Sequence, residues 1–314
     1  MPAVSELRQP SGTAFAIRDA LPWSDLSAVV RAAEGAGYSV LFLPEISGRD
    51  ALVTLGALAG ETRDLLLGTG VVPMRSRTPL LTAMGAAAVQ ERSGGRLILG
   101  IGAGDAGTLA ELRQTVETVR ALLSGAAIER RVERARLSLD PGAPVPIWIA
   151  ALGPNAMRLA GEVADGALLN WCPPERVAFA RARVAEGASA AGRDPADVVV
   201  AVYVRAWVGE DEAAAVPVLR AAAGQYASYP AYRRQWEQVG LGEAAARAAA
   251  AGAAGRPEDV PEELVRSVAA VGEEARGTLD AFRAAGADLV VVYPVSVGEP
   301  TSSIEGTLFA LAPP

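Results

Sequence analysis

Leu65 to Asp105 reads LLLGTGVVPMRSRTPLLTAMGAAAVQERSGGRLILGIGAGD. Two short apolar runs bracket a helical pattern, and each run ends in glycines. Leu65–Leu67 enters Gly68-Thr69-Gly70, and Leu97–Leu99 enters Gly100-Ile101-Gly102-Ala103-Gly104. A buried strand that ends in glycine brings bare backbone close to whatever binds at its carboxyl end. Two such strands joined by a helix make a βαβ unit with a ligand-facing edge.

The pattern recurs along the chain. Candidate strands are Thr13–Ile17, Ser39–Leu43, Leu65–Gly68, Leu97–Ile101, Pro146–Ala150, Gly166–Asn170, Val198–Trp207 and Asp288–Tyr293, with helical patterns between them. Eight strands alternating with helices, none clearly paired as hairpins, predict an α/β fold, a (β/α)8 TIM barrel. Such a barrel needs about 250 residues, so a 314-residue chain has room for insertions. Ala126–Ala143 reads as a short hairpin. Gly209–Gly272 is alanine-rich and helical, and forms an insertion between strands 7 and 8. It is either a lid or pocket wall beside the mouth, or a peripheral addition. The whole, 1–314, reads as one domain.

Composition removes several chemistries. There is no histidine, and no lysine occurs in the sequence, so all 29 basic residues are arginine. That excludes histidine–metal sites, Ser-His-Asp and Cys-His nucleophiles, Schiff-base lysines and the P-loop lysine; no metal is expected. A phosphate must be held by arginine, hydroxyls or backbone N–H groups. A net charge of -7 argues against a nucleic-acid surface. The arginines at 130, 131, 134 and 136 alternate with Glu129 and Glu133 and read as a solvated segment. No apolar run approaches the roughly 20 residues of a membrane span, and one cysteine, Cys172, fits a reducing compartment. The expectation is a cytoplasmic protein acting on a small molecule.

Gly102-Ala103-Gly104-Asp105-Ala106-Gly107 matches G-x-G-x-x-G. A dinucleotide fold would need a strand ending in an acidic residue about 20 residues on. That region, Glu117–Gly125, is still helical in pattern, so the dinucleotide assignment is rejected and a glycine-rich turn carrying Asp105 remains.

Taken together, the segments resemble the bacterial-luciferase-like flavin and deazaflavin oxidoreductases, most closely the branch that uses coenzyme F420. The matching pieces are Leu43-Pro44-Glu45, Leu67-Gly68-Thr69-Gly70-Val71, Ser93-Gly94-Gly95-Arg96, Gly100 to Asp105, Ala151-Leu152-Gly153-Pro154, Leu159-Ala160-Gly161 and Ala164-Asp165-Gly166. They fall in order over roughly Phe15 to Pro174. The Gly102–Thr108 turn is particularly similar to that of the methylene-tetrahydromethanopterin reductases. The resemblance implies a deazaflavin ring in the carboxyl-end mouth, a non-proline cis peptide at Gly70-Val71, and a homodimer. It also implies a phosphate-bearing tail near Gly153-Pro154-Asn155, a helix start whose dipole suits an anion. Cofactor contacts are then expected from Thr69, Gly70, Val71, Gly102, Ala103, Gly104, Leu152, Gly153, Pro154, Asn155 and Arg158. Many F420 enzymes of this group carry a histidine shortly after the second strand; here Glu45-Ile46-Ser47-Gly48-Arg49-Asp50 stands there, so a histidine acid is impossible.

Hydride transfer needs little acid–base help from protein groups. Two carboxylates are candidate catalytic groups: Asp105, otherwise a cap for the following helix, and Glu45, otherwise a cap or a partner of Arg49. Asn170 and Trp171, at the end of the sixth strand, are candidates for the substrate pocket, although a tryptophan there can equally be core. Cys172 has no neighbouring histidine or lysine to activate it and reads as packing. Arg18, Asp19 and Arg205 are weaker candidates, and Asp165 is structural. The expected function is hydride transfer between F420 and a small organic substrate. The alternatives are an FMN-dependent monooxygenase on the same barrel, a flavin-binding or deazaflavin-binding barrel without turnover, and a phosphate-binding isomerase.

Overall fold

Eight parallel strands, each short and almost wholly buried, close on one another and leave no edge to protect. The computed structural model describes residues 10, 12–18, 21–104, 107–129 and 134–314. In chain order the barrel strands are β1 (Thr13–Ala16), β2 (Val40–Leu43), β3 (Leu66–Thr69), β4 (Leu97–Gly102), β5 (Ile147–Ala150), β6 (Gly166–Asn170), β7 (Val199–Trp207) and β8 (Leu289–Pro294). Each pairs in parallel with the next, and β8 closes the ring on β1, with Thr13 opposite Val290. The helices are α1 (Trp23–Gly35), α2 (Ala51–Leu58), α3 (Pro79–Ser93), α4 (Leu109–Leu123), α5 (Pro154–Val163) and α6 (Pro174–Ala190), with α11 (Ala275–Ala284) and α12 (Pro300–Ala310) near the end. The expected (β/α)8 barrel is the fold found.

Helix starts follow local chemistry. Asp50 caps α2 by accepting from the Val53 N–H, and Thr78 before Pro79 caps α3. Thr108 and Glu111 form a reciprocal capping box at α4. The cap of α4 is therefore Thr108, and the cap role weighed for Asp105 is filled without it; Asp105 itself lies outside the described residues.

The barrel interior is filled by alternate residues of each strand. Phe42, Trp148, Tyr203 and Tyr293 supply the bulk, with Ala14, Ala16 and Ala201 opposing them. Large residues sit beside glycine across the ladder: Phe42 pairs with Gly68 and Trp148 with Gly166. A Cβ at Gly68 would lie 2.3 Å from the Phe42 ring, and one at Gly166 would lie 2.5 Å from the Trp148 indole. The outward residues of the strands pack under the helices as the main core.

Two additions depart from the simple barrel. Ile128–Glu129 and Arg134–Ala135 form the expected antiparallel hairpin; residues 130, 131 and 133 of its charged run lie outside the described residues. Between β7 and β8 the insertion holds α7 (Ala215–Ala227), α8 (Pro230–Glu237), α9 (Gly242–Ala253) and α10 (Glu262–Val268). It ends in a short strand, Ala269–Val271, which pairs in parallel with Arg205–Trp207. The helical reading of the insertion misses that strand, because three small apolar residues carry no alternation. The insertion has its own core around Trp236, Leu219 and Leu264, and Trp171 and Trp207 of the barrel belong to it. It therefore packs on the carboxyl ends of β6 and β7. Among the described residues no helix is long and apolar enough to cross a membrane.

Candidate active site

At the carboxyl ends of β3 and β4 the chain presents backbone more than side chains. The Thr69 hydroxyl donates to the Gly100 carbonyl and accepts from the Gly100 N–H, both at 2.8 Å, locking β3 to β4. The Gly70-Val71 peptide is cis, as the resemblance implied. Its backbone is held from the β2 side: Gly70 N–H donates to the Leu43 carbonyl at 2.8 Å, and Glu45 N–H donates to the Val71 carbonyl at 3.2 Å. Both glycines here are dictated by close approach. A Cβ on Gly70 would fall 2.2 Å from the Tyr203 hydroxyl, and one on Gly102 would fall 2.5 Å from a Val71 methyl. Val72 and Pro73 pair with Ile101 and Gly102, so Thr69, Gly70, Val71, Gly102, Ala103 and Gly104 are brought together at one side of the mouth.

Glu45 lies at the same edge, already engaged. Its Oε2 accepts from the Ala51 N–H at 3.1 Å and pairs with Arg77 Nη1 at 3.3 Å. Arg77 also meets Asp50 at 2.6 Å. Burial raises the Asp50 pKa, but the Val53 N–H and Arg77 outweigh it and hold the carboxyl below its ordinary value. The partner considered for Glu45, Arg49, instead donates to the Leu21 carbonyl, just before α1, at 2.6 Å. A cavity of about 280 Å³ adjoins this loop, lined by Arg18, Leu43, Pro44, Ile46 and Arg49 among others.

Farther round the barrel, α5 starts at Leu152-Gly153-Pro154-Asn155. Gly153 is the N-cap in extended conformation, with no side-chain cap and open space where a Cβ would stand. The first N–H groups of α5 thus lack the capping oxygen that α2, α3 and α4 receive. Arg158 is exposed on the outer surface of α5. A different arginine supports this turn: Arg176, 1% exposed, donates from Nη2 to the Leu152 carbonyl at 2.8 Å and stacks 4.5 Å from the Phe179 ring centre. Nothing in its sequence context singles it out.

The last group lies on β6, β7 and β8, under the insertion. Asn170 accepts from Arg205 Nη1 at 2.7 Å and donates to the Tyr232 hydroxyl at 2.9 Å. Trp171, expected at a pocket wall, is 1% exposed and packs in the core of the insertion. Its left-handed backbone, φ 52°, turns the residue away from the strand path, a conformation rare outside glycine. Gln235 Nε2 and Trp236 Nε1 both donate to its carbonyl at 2.8 Å, over-determining that backbone. Burial pushes the Cys172 thiol up to about 12, which makes it inert at neutral pH. Asp165 accepts from the Ile147 N–H and pairs with Arg120 at 2.9 Å, a structural role. Three buried polar atoms, Tyr203 Oη and Trp148 Nε1 in the barrel interior and Trp171 Nε1 in the core of the insertion, have no partner among the described residues. Among the described residues no cluster of three or more histidine, cysteine or acidic side chains is placed to hold a metal.

Comparison with known proteins gives the following. The 5,10-methylenetetrahydromethanopterin reductase of Methanolobus tindarius is 34% identical over 200 residues, 58% of this chain and 61% of the relative. The F420-dependent hydroxymycolic acid dehydrogenase of Mycobacterium tuberculosis is 33% identical over 186 residues, 52% of this chain and 51% of the relative. The matches thus span about three fifths of the curated reductases and about half of the dehydrogenase. Among solved structures, the coenzyme F420 dependent tetrahydromethanopterin reductase of Methanopyrus kandleri superposes with a TM-score of 0.79 at 21% identity, covering 96% of this chain and 98% of that one. The profile of the luciferase-like monooxygenases matches residues 7–289, nearly the whole barrel, and the chain belongs to that family.

Proposed function

We propose that this chain is an F420-dependent oxidoreductase, transferring a hydride between F420 and a small organic substrate in the carboxyl-end mouth of the barrel. The observation that carries the reading is the bare-backbone edge formed by Gly70-Val71 and Gly102–Gly104, together with the uncapped helix start at Gly153. The named relatives that use F420 support it. The residues fit such a group: the edge is too close-packed for side chains, the unpartnered Tyr203 hydroxyl lies directly behind Gly70, and an open helix start suits a phosphate.

F420, when bound, supplies the hydride-carrying carbon; the protein supplies position and polarity. Thr69, Gly70 and Val71 form the wall of the ring site, and Gly102, Ala103 and Gly104 its lower edge. Leu152, Gly153, Pro154 and Asn155 present the helix start to the tail phosphate, with Arg176 fixed behind Leu152. Arg158 reaches the same tail from outside. Glu45 is a positioning group whose N–H holds the Val71 carbonyl and whose carboxylate ties Arg77 and α2. Asp105 is the carboxylate assigned to proton handling. Asn170 joins the substrate side, with Trp171 packed behind it in the core of the insertion, and the insertion limits access of water.

The protein is further proposed to be cytoplasmic, to form a single domain and to act as a homodimer. The helical face for pairing is α2 and α3, where Val53 (71% exposed), Leu81 (48%) and Met84 (53%) stand apolar in solvent. The functional reading is tested by titrating the protein with oxidised F420 and with FMN, followed by quenching of cofactor fluorescence. Micromolar F420 binding with little FMN binding is expected. Preference for FMN moves the chain to flavin chemistry, and binding of neither overturns the reading.

A further inference from the structure

Arg205 lies on β7 two residues beyond the interior residues Val199, Ala201 and Tyr203, toward the carboxyl end of the strand. It is 5% exposed, and among the described residues no carboxylate lies within ion-pairing distance of it. Among the described residues its guanidinium makes one hydrogen bond, to the Asn170 side-chain oxygen. Aromatic faces supply the rest of its surroundings: the guanidinium carbon lies 3.9 Å from the Tyr293 ring centre, 4.6 Å from Trp171 and 5.6 Å from Tyr226.

Arg96 shows the contrast. That buried guanidinium sits among acceptors and makes five hydrogen bonds, to Ser93, Thr62, Leu65 and Ala59. A buried cation without a counter-charge is expensive, and ring faces with one amide oxygen compensate it only in part. Arg205 is also rigidly held. Its strand pairs on both sides, and Asn170 is itself fixed by Tyr232 on the insertion. A guanidinium so oriented, with donors to spare, matches the two oxygens of a carboxylate. The half-buried rings of Tyr226 and Tyr232 beside it suit a flat body attached to that carboxylate.

We infer that Arg205, oriented by Asn170, is the recognition point for a carboxylate on a planar or aromatic organic substrate. This rests on the proposed function, since it names the class of molecule that would meet the cofactor. Arg205 binds the substrate; Asn170 positions Arg205.

The test uses the full chain, with and without F420, and three probes: benzoate, benzamide and inorganic phosphate, measured by calorimetric titration. Benzoate is expected to bind at least about tenfold more tightly than benzamide or phosphate. Arg205→Gln removes that preference, and Asn170→Ala, which keeps the cation and frees it, reduces it. Circular dichroism and the F420 titration are run on each variant, so that loss of fold is separated from loss of recognition. If Arg205→Gln does not fold, Arg205→Lys, which keeps the charge but not the fork, together with Asn170→Ala decides the matter. Equal binding of benzoate and benzamide, phosphate binding as tight as benzoate, or an undiminished preference in the folded variants each overturns the inference. F420 binding without a benzoate preference removes the inference alone. A benzoate preference that depends on Arg205, in a protein that binds no F420, leaves the carboxylate site but removes its assignment to a substrate.

Discussion

Replacing Arg96 tests how the amino-terminal face of the barrel is held. The Ser93-Gly94-Gly95-Arg96 turn belongs to the set that identifies the family by resemblance, yet the structure gives Arg96 no part in the mouth. It stands just before β4 and reaches five acceptors at 2.8 to 3.3 Å, which tie the end of α3, the end of α2 and the start of β3 together. Burial lowers its pKa, so the cation carries a desolvation cost that these contacts offset. Arg96→Met keeps much of the volume, spares that cost and strands several carbonyls. Each stranded acceptor costs about 1–3 kcal/mol, partly relieved by water, and the contacts are not independent. A net loss of about 3 kcal/mol is expected, which for a chain of this length is about 5 °C in Tm. Arg96→Lys recovers less than half, because one ammonium cannot span three segments. Urea denaturation of both variants measures the loss, and F420 affinity below the transition is expected to stay within about twofold, since the residue lies on the face opposite the chemistry. Losses under about 1 kcal/mol for both variants would refute the bracing role.

Other expectations concern the mouth and the outer surface. Asp50→Asn keeps a good helix cap but removes the charge facing Arg77. The folded pKa of Asp50 is held below its unfolded value, so its stabilisation is present above about pH 4 and fades as pH falls. The variant is therefore less stable at pH 7 by up to about 1 kcal/mol, and the gap in urea midpoint narrows as pH is lowered from 7 to 3; an equal gap at both pH values contradicts the ion-pair account. Met84→Glu combined with Val53→Asp places charges on the apolar face of α2 and α3 and is expected to give a monomer by sedimentation velocity with unchanged circular dichroism. A dimer that persists in the variant, or a wild-type monomer, removes that face as the pairing surface.

Much of the barrel was legible because its signals are local. The eight apolar runs fall within a residue or two of the observed strands, and Thr78-Pro79 announces its helix through chemistry confined to one turn. Glycine at 70 and 102 was legible as bare backbone, though not its cause, since Tyr203 and Val71 come from elsewhere in the chain. The arginines were the hard part. Arg77, Arg96, Arg176 and Arg205 are all largely buried with distinct partners, and their hydrogen-bond partners are up to 37 residues away in sequence. In a chain where every basic residue is arginine, composition cannot separate a buried guanidinium from a surface one. Trp171 shows the same limit: its left-handed backbone is set by Gln235 and Trp236 of the insertion, 64 and 65 residues on. The short strand Ala269–Val271 forms because β7 runs on past β6, whose pairing ends at Tyr203, and offers that edge.

The central claim, that an anionic F420 tail sits at the start of α5, is tested most directly by the F420 affinity of Gly153→Asp. The position is extended, open and uncapped, so aspartate caps the helix and leaves Tm unchanged or slightly higher. The same carboxylate meets the tail phosphate with like charge. The account predicts F420 binding weakened by about tenfold or more in a protein at least as stable as the parent. Undiminished F420 affinity in the folded variant would contradict it.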